Sequence, residues 1–366
     1  MYTTPFFPNM FNRSSRSSSD SSGTSVHLPN FLSPDIDVYE RFTELAHLQR
    51  LRCARPDVIP DESGSDPRNR YGHIQPFQYN RIQLQGLEDS YINASPISIN
   101  YQSFIACQGP LEGRLIWHMI WQENVSVVVM LTLPTEMNVD KCFQYYPSEP
   151  FEVIDIPDFR ITLLAMTNEN RTDIRKIRMV SNSGEERIVW HYLFHGWPDY
   201  GVPTSTDETA LISLIHLSAT QNHTINPNAP RLIHCSAGCG RTGTFIALDH
   251  LLSHMDRTAF ADTLTLLQDS QMMFQMEHDP VFECVDKLRS QRMHMVWNEE
   301  QLSFIYKVLR ERWYDRYYEE RARRVDEEYQ THHWEAEEPG RRLENVPELE
   351  EGEARPRTHE EEDKEE

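Results

Sequence analysis

Apolar residues fall along this chain in two rhythms. Largely apolar runs at Ser126-Val127-Val128-Val129-Met130-Leu131 and Arg187-Ile188-Val189-Trp190-His191-Tyr192-Leu193 read as strands, rich in β-branched and aromatic side chains. The shorter run Arg231-Leu232-Ile233 reads as another. A helical period appears from Asp207 to Leu217, from Thr244 to His254 and from Glu299 to about Tyr318. Trp117 and Trp121 stand four apart, which puts them on one helix face and makes core residues of them. Strands and helices alternate without a strict βα repeat. The pattern predicts an α/β chain of the α+β type, a twisted mixed sheet flanked by helices.

Both rhythms stop at the ends. Seven serines (Ser14, Ser15, Ser17, Ser18, Ser19, Ser21, Ser22) fall within nine positions, and residues 1–30 are expected to be disordered. From Glu335 onward the chain holds 14 acidic and 5 basic residues, so 325–366 is read as a disordered, self-repelling, solubilising tail. Residues 31–324 remain as one domain. The formal net charge of −22 argues against nucleic acid or anionic membrane as partners. Six cysteines are scattered without paired spacing, and neither a membrane-length apolar run nor a signal-peptide order is present. A reducing compartment is expected, the cytoplasm first and the nucleus second. No cluster has metal-ligand spacing, so neither metal nor cofactor is expected.

The chemistry concentrates at His234-Cys235-Ser236-Ala237-Gly238-Cys239-Gly240-Arg241-Thr242. A strand feeds a glycine-containing turn that opens a helix, so successive backbone N–H groups converge in a concavity suited to a phosphate dianion. The same positive field favours a thiolate at its base, at Cys235. Arg241 can curl back and present a planar fork to two phosphate oxygens. The Thr242 hydroxyl is placed to assist the departing sulfur.

This loop resembles the signature loop of the non-receptor tyrosine-specific cysteine phosphatases. The resemblance runs from about Phe31 to about Arg310 and implies a single protein-tyrosine-phosphatase domain. It implies that Cys235 is the nucleophile, that Arg241, Thr242 and His234 complete the catalytic loop, and that Ser236, Ala237, Gly238, Cys239 and Gly240 bind the phosphate. His195-Gly196-Trp197-Pro198-Asp199-Tyr200-Gly201 resembles the family's mobile lid, with Asp199 as acid and then base. Asn69-Arg70-Tyr71 resembles the recognition loop, in which Tyr71 stacks on the substrate ring. By the same likeness Glu136 orients Arg241, Lys141 lies near the lid, and Gln301 helps position water. Acidic phosphopeptides would need a basic rim, for which Arg70, Lys141 and Arg289 are candidates.

Four positions depart from the family pattern. Trp297 stands where the family keeps a water-positioning glutamine, and an indole offers a donor but no acceptor. His73 replaces an Asp that holds the substrate backbone, and His294 replaces a small residue at the pocket mouth. Cys239 replaces Ile or Val. Its expected role is an apolar wall against the substrate ring, with a resolving thiol for oxidised Cys235 as the sharper alternative. The sequence therefore reads as a phosphotyrosine hydrolase acting on proteins, kinase activation loops among them by family analogy. The alternatives are a phosphotyrosine-binding pseudophosphatase, resting on Trp297, and a dual-specificity phosphatase, against which Tyr71 speaks.

Overall fold

A computed structural model describes residues 28–55, 58, 66–198, 201–257 and 279–316. The Ser-rich segment up to residue 27 and the acidic tail lie outside the described residues. The described residues up to Asp315 group as one compact unit. Leu28, inside the segment expected to be disordered, already packs against the core.

Eight strands form the main sheet: β1 (Ala94–Ile99), β2 (Gln102–Cys107), β3 (Val127–Met130), β6 (Val153–Ile156), β7 (Phe159–Glu169), β8 (Thr172–Ser181), β9 (Glu186–Phe194) and β10 (Arg231–His234). Their spatial order is β1-β2-β10-β3-β9-β8-β7-β6. The central strands β2, β10, β3 and β9 run parallel, and antiparallel strands complete both sides. A separate hairpin pairs β4 (Thr135–Glu136) with β5 (Val139–Asp140). Its tip residues, Met137 and Asn138, both have positive φ (48° and 61°), as a two-residue type I′ turn requires.

All residues of β3 and β10 are buried, as expected of parallel strands covered on both faces. Side chains alternate between two cores. Val127, Val129 and Ile233 face α1 (Val38–Cys53), α3 (Thr206–Ile225), α4 (Gly240–Arg257), α5 (Pro280–Arg289) and a closing helix over 299–316. Val128, Met130 and Leu232 face α2 (Gly113–Gln122) and the antiparallel strands, with Trp117 fully buried there.

Helix α3 extends well beyond the Asp207–Leu217 period. Its second half carries polar residues with buried partners: Ser218 accepts from the Arg231 guanidinium at 3.2 Å, and Asn222 donates to the Ala229 carbonyl at 3.0 Å. Arg231 also pairs with the fully buried Asp249 of α4 at 2.7 Å. That pair fixes α4 against β10, and hence the turn between them.

Candidate active site

The turn Cys235–Cys239 leaves the sheet at the carboxyl end of β10, where His234 lies between Cys107 of β2 and Met130 of β3. Open parallel sheets place ligand sites at such ends. Three successive carbonyls of this turn point into the protein. Ser236 O accepts from Gly109 N at 2.8 Å, Ala237 O from Arg292 Nη2 at 3.1 Å and Gly238 O from Arg292 Nε at 2.8 Å. Because each peptide is planar and trans, the N–H groups of Ala237, Gly238 and Cys239 point the opposite way, into one concavity. Gly238 has φ +70°, and a Cβ there would strike the Cys107 carbonyl.

Arg241 opens α4 beside this concavity. Glu136 holds its fork through Nη1 at 2.6 Å and Nη2 at 2.8 Å, and Leu131 O accepts from Nη1 at 3.0 Å. Burial raises the Glu136 carboxyl, but bonds from Arg241, Thr132 and the Leu133 amide outweigh it and hold the group below the usual carboxylate range. The Arg241 guanidinium is thereby pre-oriented.

Tyr71 stands at one end of the loop, its hydroxyl 2.9 Å from Ser236 Oγ, which in turn donates to Lys141 O at 2.9 Å. Gln108 ties the Tyr71 segment to β2, accepting from Arg70 N at 2.8 Å and donating to Arg68 O at 2.7 Å. At the other end, a Cβ on Gly240 would lie 3.0 Å from both Trp297 Cβ and the Gln301 amide. Gln301 is buried, and its Oε1 accepts from Trp297 N at 2.9 Å.

A family model described as protein-tyrosine phosphatase matches residues 65–311. The chain belongs to the protein-tyrosine phosphatase family. Receptor-type tyrosine-protein phosphatase eta of Mus musculus is 34% identical over 267 residues, covering 68% of this chain and 21% of the mouse protein. Tyrosine-protein phosphatase 3 of Schizosaccharomyces pombe is 35% identical over 256 residues, covering 67% of this chain and 79% of the yeast protein. A solved structure concerning the PTPN18 fingerprint on distinct HER2 tyrosine phosphorylation sites matches with a TM-score of 0.64 at 26% identity, covering 75% of this chain and 94% of that one. The chain spans about a fifth of the mouse receptor's length.

In this phosphatase-family chain the loop residues, Tyr71, Glu136, Arg241 and Gln301 come together around one concavity. Asp199 and Tyr200 lie outside the described residues. Trp197, two residues before Asp199, is buried and donates its indole N–H to Gly201 O at 3.0 Å. Thr242 is fully buried, its hydroxyl without a hydrogen-bond partner.

Several expectations need correction. His234 lies fully buried behind the loop, where desolvation holds its pKa down at about 4. Its Nε2 is 2.8 Å from the Tyr145 hydroxyl and its Nδ1 is 3.3 Å from Cys235 O, so it is a positioning residue. Cys239 forms no wall against a substrate ring. Its thiol is buried beneath the loop, 3.5 Å from Ala237 O and bonded to Arg292. Burial pushes it up to about 11, which makes it a poor resolving thiol. The three cations expected at the rim do not form one. Arg70 is spent on the Gly109, Pro110 and Asp140 carbonyls and the Asp140 carboxylate, and Lys141 and Arg289 are buried.

Sequence reasoning missed Arg292, whose fully buried guanidinium holds two loop carbonyls, Asn93 Oδ1 and Ser95 Oγ. It also missed Tyr145, whose hydroxyl lies between His234 Nε2 and His191 Nε2 at 2.8 and 3.0 Å. A buried Arg three residues past the end of α5 carries no local signal. The adjacent Tyr145-Tyr146 pair could have been suspected, since a buried phenol needs a polar partner.

Proposed function

We propose that the chain hydrolyses phosphotyrosine in proteins through a phosphocysteine intermediate, with no metal or cofactor. The observation that carries this reading is the ring of three inward N–H groups at Cys235, closed by an Arg241 that Glu136 has already oriented. In the first step the Cys235 sulfur forms a bond to phosphorus in line as the P–O bond to tyrosine breaks. Asp199 gives its proton to the departing phenolate, a contribution of about 10²- to 10⁴-fold for a general acid. Arg241 and the loop amides take up the charge that grows on the three equatorial oxygens. In the second step water forms a P–O bond and the S–P bond breaks. Asp199 takes the water's proton, and phosphate and the Cys235 thiolate are released.

Tyr71 supports tyrosine over serine. Its hydroxyl is tethered to Ser236, so its ring forms a fixed wall that sets the slot's depth. Candidate substrates are phosphotyrosine-bearing signalling proteins in the cytoplasm. Among the described residues no helix is long and apolar enough to cross a membrane. Release of phosphate from a phosphotyrosyl peptide, but not from a phosphoseryl peptide or a phosphatidylinositol phosphate, is the expected result, and Cys235→Ser should abolish it. Asp199→Ala should retain substrate long enough to identify it by pull-down.

A second reading rests on Trp297, which is pressed against Gly240 where the family keeps a water-positioning amide. If wild type and Cys235→Ser release phosphate equally near zero yet bind phosphotyrosyl peptide, the chain is a binding module.

A further inference from the structure

Trp297 is 46% exposed, at the edge of the phosphate loop. A large apolar side chain left in solvent is unremarkable when its backbone is free, but this one is held in place by strain. His294 and Val296, the residues flanking Met295 just before it, have φ of +59° and +60°. For a β-branched residue that is a costly conformation, which persists only where the surroundings impose it. They do so here. The buried Gln49 accepts from His294 N and bonds His294 Nδ1, each at 2.8 Å. Arg289 donates to Met295 O at 2.9 Å and Val296 O at 2.6 Å.

The result is an aromatic wall running round the mouth of the site. Ring centroids lie 6.2 Å apart for Tyr71 and His73, 6.2 Å for His73 and Trp297, and 4.9 Å for His294 and Trp297. On the phosphatase reading, the wall begins at Tyr71, the ring against the substrate tyrosine, and it ends at the solvent-exposed Trp297. Its charges are wrong for an acidic neighbour. The three cations expected at the rim are buried or bonded, while Glu299 and Glu300 are exposed two and three residues beyond Trp297.

We propose that Trp297, His73 and His294 form a subsite for a large apolar or aromatic residue next to the phosphotyrosine. Phosphotyrosines flanked by such residues are then preferred over those flanked by Asp or Glu. This selectivity rests on the phosphatase reading above, and the test separates the two.

Two phosphotyrosyl peptides identical except for the residues on either side of the phosphotyrosine, Phe or Leu in one and Asp in the other, are compared by kcat/KM. That ratio covers steps up to phosphoryl transfer to Cys235, so any effect of Trp297 on the later hydrolysis drops out. Wild type should favour the apolar peptide by about 3- to 10-fold, the range of one aromatic contact. Trp297→Gln and His73→Ala should bring the ratio close to one. Equal ratios in wild type, or a preference for Asp, overturn the subsite while leaving the phosphatase reading intact. If neither peptide nor p-nitrophenyl phosphate is turned over, the phosphatase reading fails. The same peptide pair titrated against the wild-type protein by calorimetry then decides the subsite, and equal affinities overturn it.

Discussion

Glu136 grips Arg241 through both of its terminal nitrogens, and it does so from the tip of a two-stranded hairpin outside the main sheet. The hairpin thus aims a cation that another element carries. Glu136→Gln should keep the fold but let the fork turn, lowering kcat/KM for a phosphotyrosyl peptide by about 100-fold. Unchanged kcat/KM would show that α4 alone orients Arg241. A depressed carboxylate gives stability that is present above its unfolded pKa and lost as pH falls through the folded one. The grip should therefore survive mild acid.

His234 and His294 titrate in the opposite setting. Burial holds both at about 4, against 6.5 when unfolded. Between those values the unfolded chain binds more protons, so stability is full above about pH 6.5 and falls as pH drops toward 4. Thermal melts across that window should show the midpoint dropping by several degrees. His294→Asn suits the positive φ and carries no titrating ring, so its melting curve should be flatter in pH. Equal slopes for the two proteins would remove His294 from the account.

On the proposed mechanism, Trp297 should slow the second chemical step. Its indole cannot accept a bond from water, and its backbone N–H already occupies Gln301 Oε1. Rapid mixing should give a burst of phenol followed by slower turnover. Trp297→Gln should raise the steady rate by about tenfold, equivalent to about 1.4 kcal/mol, and shrink the burst. Identical traces would exclude this role.

Arg292 is fully buried beneath the loop and donates to Gly238 O, Ala237 O, Asn93 Oδ1 and Ser95 Oγ. Arg292→Met leaves those acceptors unpaired in a dry interior and should cost about 3 kcal/mol of stability. Activity should fall further than stability alone explains, because the loop carbonyls would be free to turn outward. Denaturant titration alongside kcat/KM separates the two losses.

What could be read from the sequence was local. The loop from Cys235 to Arg241 packs strand end, turn and helix start into a few residues, so its chemistry is visible in order. Strands β3 and β10 betray themselves by unbroken apolar runs. The second half of α3 was hidden because Ser218 and Asn222 look like loop residues until Arg231 and Ala229 arrive to partner them. The rim failed for the same reason. Sequence shows that Arg70 and Arg289 carry charge, and says nothing of the carbonyls that absorb them. Gln49 and His294 are 245 positions apart, and only the folded sheet brings α1 to the pocket mouth.

The hydroxyl of Tyr145 has one hydrogen to give and two imidazoles to satisfy. His234 Nδ1 faces the Cys235 carbonyl, so that nitrogen carries the proton and Nε2 accepts from Tyr145. Tyr145 must then accept from His191 Nε2, which leaves His191 Nδ1 a bare lone pair, in keeping with its lack of a hydrogen-bond partner. Nitrogen chemical shifts should show that atom unprotonated. The three rings form a one-way file of donors, His191 to Tyr145 to His234, that ends on the peptide of Cys235. The backbone beneath the nucleophile thus inherits a polarity set two residues deep in the core.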